Sequence, residues 1–206
     1  ELDADGDLTG MVGAGDGFAV LESNGGQVLQ VGLDGTVTRL ADLSAATSSP
    51  VGIAVALDGR ILVGQDDRIV AVAADGTVSD VWTGLAGVTG VAVGPDGTIY
   101  AAQADGSVVR QAAPDAAKPI ATGFVNPAAV VAGPDGELYV SSPASGGLPG
   151  HGSVVRIDLA YGEVATMSDA VLSGSTCLPT PTPTSAPVTT ATGTPGAGAT
   201  GTPDGG

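Results

Sequence analysis

One cysteine, one histidine, six basic side chains and 3% aromatic residues are what this chain of 206 residues has least of. Each scarcity excludes something. Cys177 has no second cysteine to pair with, so no disulfide forms within the chain, and it reads as a free thiol because no base stands beside it in the sequence. His151 lies between two glycines and cannot alone build a multi-histidine metal centre, so it reads as a loop residue. Six Lys and Arg against 22 Asp and Glu leave a net charge of −16 and no basic stripe, which argues against nucleic acid as a partner. No run of about 20 apolar residues is present to encode a spanning helix. With so few aromatics, a core must come mainly from Val, Ala, Leu and Ile. There is no Gly-x-Ser-x-Gly elbow, and Gly13-Ala14-Gly15-Asp16-Gly17 fails as a dinucleotide fingerprint because a hairpin rather than a helix follows it.

What is present is repetition. Gly52-Ile53-Ala54-Val55-Ala56-Leu57-Asp58-Gly59 returns as Gly90-Val91-Ala92-Val93-Gly94-Pro95-Asp96-Gly97 and as Ala129-Val130-Val131-Ala132-Gly133-Pro134-Asp135-Gly136, with a degraded copy ending Gly15-Asp16-Gly17. The Asp-Gly pairs at 16, 58, 96 and 135 are spaced by 42, 38 and 39 residues, a period that signals stacked repeats. Within each unit, alternating runs such as Thr98 to Gln103 and Ser107 to Gln111 flank further Asp-Gly pairs, the pattern of consecutive β-hairpins. Asp-Gly suits tight two-residue hairpin loops that need positive φ, so turn geometry explains the nine Asp-Gly aspartates without a ligand.

Four short antiparallel strands per unit predict an all-β fold, a β-propeller of four-stranded blades, with about four blades present. A sandwich or a β-helix predicts no repeat or a shorter one. The expected organisation is a polar connecting segment over 1–9, repeats at about 10–45, 46–86, 87–125 and 126–172, and a Thr/Pro/Gly-rich disordered tail over 173–206. The degraded first copy and the absence of an initiating Met suggest the back portion of a longer, six-bladed ring. Such an arc would expose apolar blade faces unless a partner covers them.

Candidate chemistry is sparse. Aligning on the Asp-Gly pairs puts Ser23, Gln65, Gln103 and Ser142 at the end of strand two of each blade, near the mouth where loops collect, and these are the candidate ligand-binding positions. None is acidic or imidazole, so the blades supply no convergent metal ligands and no catalytic residue is assigned. Asp3, Asp5 and Asp7 echo the start of a calcium loop, but Leu8 and Ala14 stand where Gly and a bidentate Glu are required, which leaves calcium a weak candidate and no other cofactor. Trp82, Tyr100 and Tyr139 lie in strand runs, where packing is the default and a sugar-stacking platform the alternative.

The phrases Val88 to Tyr100, Asn126-Pro127 through Ser141, and Pro149-Gly150-His151-Gly152-Ser153-Val154-Val155-Arg156-Ile157 resemble the ScyD/ScyE family, propellers of exported type linked to scytonemin biosynthesis and related in style to NHL-repeat and gluconolactonase-like propellers. The resemblance covers roughly 10–166 and implies about six blades, a longer front and no established reaction. The expectation is a non-catalytic exported scaffold, extracellular, periplasmic or on the cell surface, whose loop faces meet a protein, glycan or small molecule. The alternatives are a lactonase-like or pigment-pathway enzyme with its site in other blades, and a surface-stalk component acting through the Thr/Pro run.

Overall fold

In a computed structural model, the structure describes residues 6–45, 49–143, 152–159 and 166–171, the last by backbone. Asp3, Asp5, His151, Cys177 and the Thr/Pro/Gly-rich tail lie outside the described residues.

Sixteen strands form four antiparallel four-stranded sheets, each in sequence order, and no helix occurs among the described residues. Blade 1 is β1 (Leu8–Ala14), β2 (Gly17–Glu22), β3 (Gln27–Gly32) and β4 (Val37–Asp42). Blade 2 is β5 (Val51–Val55), β6 (Ile61–Gln65), β7 (Arg68–Val72) and β8 (Val78–Thr83). Blade 3 is β9 (Val88–Val93), β10 (Ile99–Gln103), β11 (Ser107–Ala113) and β12 (Ala116–Thr122). Blade 4 is β13 (Ala129–Ala132), β14 (Leu138–Pro143), β15 (Gly152–Asp158) and β16 (Thr166–Val171). Pairing stays within each repeat, as a propeller requires.

The Asp-Gly turns differ from the two-residue expectation. Gly97 N–H donates to Gly94 O, Gly94 N–H donates to Thr98 O, and the same pair of bonds recurs at Ala56–Arg60, Ala73–Thr77 and Gly133–Glu137. Only the glycine takes a left-handed φ, +84° at Gly97, while Asp96 stays outside that region. This is a turn followed by a glycine bulge, the longer hairpin class. The aspartate's role is to accept: Asp96 Oδ1 takes Thr98 N–H at 3.0 Å, and Asp34, Asp58 and Asp75 do the same for the residue two ahead. These hydrogen bonds hold the four carboxyls below the ordinary aspartate value. Between strands one and two, blade 1 alone has a two-residue loop, with Ala14 facing Gly17 across Gly15-Asp16.

Alternation sends one set of side chains to each neighbouring blade. Between blades 1 and 2 lie Leu21 and Val28 with Ile61, Val63 and Val70. Between blades 2 and 3, Leu62, Ile69 and Trp82 meet Val91, Ile99 and Val109. Between blades 3 and 4, Tyr100 and Val108 meet Val130, Leu138 and Ile157. Each fully buried aliphatic side chain contributes about 1.5–3 kcal/mol, so seams of this kind hold a blade that could not stand alone. The inner strands β1 and β5, β5 and β9, and β9 and β13 pack in succession, and no comparable packing joins β13 to β1.

Candidate functional site

The inner strands approach so closely that their sequence is dictated at one position. A Cβ on Gly52, which has φ +70°, would stand 2.9 Å from Val91 N, and one on Gly90 would stand 2.9 Å from Val130 N. At Gly10 the contact is a side chain, since a Cβ there would meet Ile53 Cγ2 at 2.7 Å. Each of these glycines is therefore a socket for the residue just after the matching position in the next blade. That explains the Gly that opens the repeated phrase.

The curved wall left by the inner strands borders an open concavity of about 450 Å³. Its lining is Met11, Val12, Ile53 to Val55, Val91 to Val93 and Val130 to Ala132, without a charged side chain. A second concavity of about 540 Å³ lies between blades 1 and 2 on the side of the Asp-Gly turns, bordered by Asp16, Gln30, Arg39 and Asp75. Arg39 is there already paired, 3.5 Å from Asp42.

At the end of strand two, pairing corrects the sequence alignment in one blade. Gly10 faces Leu21 and Gly90 faces Ala102, so the residues that follow, Glu22 and Gln103, occupy one rung. The shorter Gly15-Asp16 turn slips strand two of blade 1 by one residue, and Glu22 rather than Ser23 joins Gln65, Gln103 and Ser142. All four are buried, at 6%, 4%, 4% and 7% exposure. The rung thus contains one carboxylate that the sequence reading missed; the signal was the two-residue turn.

Two of the four rung side chains, Glu22 and Gln103, hold loops. Glu22 Oε1 and Oε2 accept Gly25 N–H, each at 2.8 Å. Gln103 Oε1 accepts Ala86 N–H at 2.6 Å, and its Nε2 donates to Ser107 Oγ at 2.8 Å. Ser23 Oγ contacts Thr9 Oγ1 and donates to Pro50 O at 2.6 Å, stitching blade 1 to the entry of blade 2. Gln65 Nε2 and Ser142 Oγ lack a partner among the described residues. Across the turn Gln65 pairs with Arg68, whose guanidinium meets Asp67 and Asp80.

The remaining candidates fall into place. Trp82 is fully buried with Nε1 unpartnered among the described residues, and Tyr100 is buried, its phenol pushed up by burial and by Asp96, so both pack. Tyr139 is 38% exposed and donates to Glu137 Oε1 at 3.1 Å, which raises its phenol. Asp7 is exposed and uses its backbone carbonyl to accept Ser23 N–H. Among the described residues no three His, Cys, Asp or Glu side chains gather in a metal-holding group, and no helix is long and apolar enough to cross a membrane.

This geometry defines the class: a β-propeller array with one polar rim rung and an apolar inner wall. Comparison with known proteins agrees on the fold. The strictosidine synthase-like, N-terminal family matches residues 90–111, within blade 3. No curated protein matches the chain in sequence. Among solved structures, virginiamycin B lyase from Staphylococcus aureus superposes with a TM-score of 0.60 at 15% identity, over 82% of this chain and 57% of that one. A putative gluconolactonase gives 0.62 at 14% identity, over 82% of this chain and 68% of that one. A luciferin-regenerating enzyme gives 0.56 at 13%, over 79% and 61%. The chain thus spans little more than half the length of the virginiamycin B lyase it resembles.

Proposed function

We propose that this chain is a binding scaffold, an exported propeller array of ScyD/ScyE type that holds a small, uncharged, apolar molecule against its inner strands. The observation that carries this reading is the concavity of about 450 Å³ lined by Met11, Ile53, Val55, Val93 and Val131, a size within the range of small-molecule pockets. A net charge of −16 disfavours an anionic ligand, and a glycan finds no stacking platform in the buried Trp82 and Tyr100. The rim rung does not compete for the role of reacting group, because Glu22 and Gln103 are engaged by Gly25 and Ala86. Export to the extracellular space, periplasm or cell surface is part of the proposal and rests on the Thr/Pro run after Leu178 and on the family resemblance.

The test is titration with Nile red, a neutral apolar dye. Saturable binding, lost in Val93→Asp and weakened in the isosteric Val93→Thr, supports the reading; binding that neither variant changes contradicts it. A second reading, a lactonase-like enzyme, draws on the likeness in fold to a putative gluconolactonase. Turnover of simple lactones by the whole protein would favour it over the scaffold.

A further inference from the structure

Five hairpin turns share one backbone frame, Gly32–Thr36, Ala56–Arg60, Ala73–Thr77, Gly94–Thr98 and Gly133–Glu137, and each carries Asp-Gly within it, the aspartate exposed. In four of them the aspartate is tied. Asp34, Asp58, Asp75 and Asp96 each accept the N–H of the residue two ahead. At three of these the side chain of that residue adds a second bond: Thr36 Oγ1 at 2.7 Å, Arg60 Nε at 2.7 Å and Thr98 Oγ1 at 2.8 Å. Asp105, in another turn, is tied in the same way by Ser107. Asp135 is the exception. Its turn keeps both backbone bonds, Gly136 N–H to Gly133 O at 3.1 Å and Gly133 N–H to Glu137 O at 2.8 Å, yet its carboxyl has no hydrogen bond among the described residues. The cause is the residue after the glycine. Glu137 offers no side-chain donor, and its buried carboxylate lies against Gly133, where a Cβ would meet it at 2.6 Å, so it adds like charge to the turn.

We propose that Asp135-Gly136 is a modification site at which the folded protein converts aspartate to isoaspartate faster than at any other described Asp-Gly pair. The backbone nitrogen of Gly136 attacks the side-chain carbonyl carbon of Asp135, the N–H proton and the carboxyl hydroxyl leave together as water, and a five-membered imide closes. Water then opens the ring at either carbonyl. One opening returns aspartate and the other gives isoaspartate, with no net change in composition, so no oxidant or cofactor is needed. The product lengthens the backbone by one methylene in the turn that joins β13 to β14. Closure needs a carboxyl free to swing onto the glycine nitrogen, and a carboxyl tied to the N–H two residues ahead must first break that bond. Exposure does not separate the pairs, because all these aspartates are exposed. Asp16 is untied too among the described residues, but its Gly17 lies in β2, paired with Ala14 on one side and Gly32 on the other, and the ladder fixes its nitrogen.

The experiment warms the whole chain at neutral pH, below its unfolding midpoint, digests it under acid conditions and maps the peptides by mass spectrometry with fragmentation that separates isoaspartyl from aspartyl linkages. Isoaspartate is expected at Asp135 about tenfold above Asp34, Asp58, Asp75, Asp96 and Asp105, the factor one hydrogen bond to a charged group is worth, and above Asp16 as well. Glu137→Thr supplies the missing donor and should bring Asp135 down to the level of Asp96. Thr98→Glu removes a donor and should raise Asp96 towards the level of Asp135. Circular dichroism checks that each variant stays folded. In urea the turns are gone and the preference should vanish. A highest yield at any other of these pairs overturns the proposal. So does a yield at Asp135 or Asp96 that its folded variant leaves unmoved, and so does a preference that persists undiminished in urea.

Discussion

The seam between blades 2 and 3 and the outer face of blade 4 are built from the same repeat and end in opposite states. At the seam, Trp82, Leu62 and Ile69 are closed over by Val91, Ile99 and Val109, and cross-blade hydrogen bonds run from Gln111 Nε2 to Val81 O at 3.0 Å and from Thr83 Oγ1 to Asp115 Oδ1 at 2.7 Å. On the face of blade 4 the corresponding alternation leaves Val131 and Tyr139 exposed. A blade sequence therefore specifies two half-interfaces, and burial is decided by whether a neighbour arrives.

The largest way to break the comparison is at the seam. Trp82→Ala removes a fully buried side chain and is expected to cost about 3–5 kcal/mol in urea unfolding, whereas Tyr139→Ala on the open face should change stability by under about 1 kcal/mol. Next comes the socket. Gly52→Ala combines a φ of +70° with a Cβ 2.9 Å from Val91 N and is expected to cost roughly 1–3 kcal/mol, while Ala129→Gly, its counterpart in blade 4, should cost well under that.

Smaller still is the rung. Gln103→Leu strands Ala86 N–H, while Ser107 Oγ keeps Asp105 Oδ1, and should cost about 1 kcal/mol, whereas Gln65→Leu removes an amide whose Nε2 has no partner among the described residues and should cost less. Equal losses at the two sites would erase the distinction between them. The smallest effect is in the turns. Asp34, Asp58, Asp75 and Asp96 sit below their ordinary value of 3.8, so their contribution is full above that pH and is lost as pH falls through the lowered native values. Replacing all four by Asn, which still accepts the turn hydrogen bond, should flatten the acid-side fall of the thermal midpoint.

The architecture was legible because turn chemistry and period are local: Pro95-Asp96-Gly97 announces a hairpin whatever surrounds it, and its recurrence counts the blades. The turn type was legible only in part, since the same letters serve a two-residue loop and a glycine bulge, and the carbonyl at Gly94 decides between them. Strand register in blade 1 was not legible from the Asp-Gly alignment, because the Gly15-Asp16 turn shortens the loop and moves Glu22 onto the rung. One residue of slip changes which face a side chain takes, which is why Ser23 stitches blade 1 to Pro50 instead. The apolar inner wall follows from the repeated Val and Ile positions, yet only the stacking of inner strands turns them into a concavity.

The central claim is that each blade's inner strand seats in the glycine socket of the blade before it. Nuclear Overhauser contacts in the folded chain test this directly. The α-protons of Gly52 should show strong cross-peaks to the amide proton of Val91, and those of Gly90 to the amide proton of Val130. Glycine α-protons that report only neighbours within their own repeat, or contacts between repeats that are not consecutive, would contradict it.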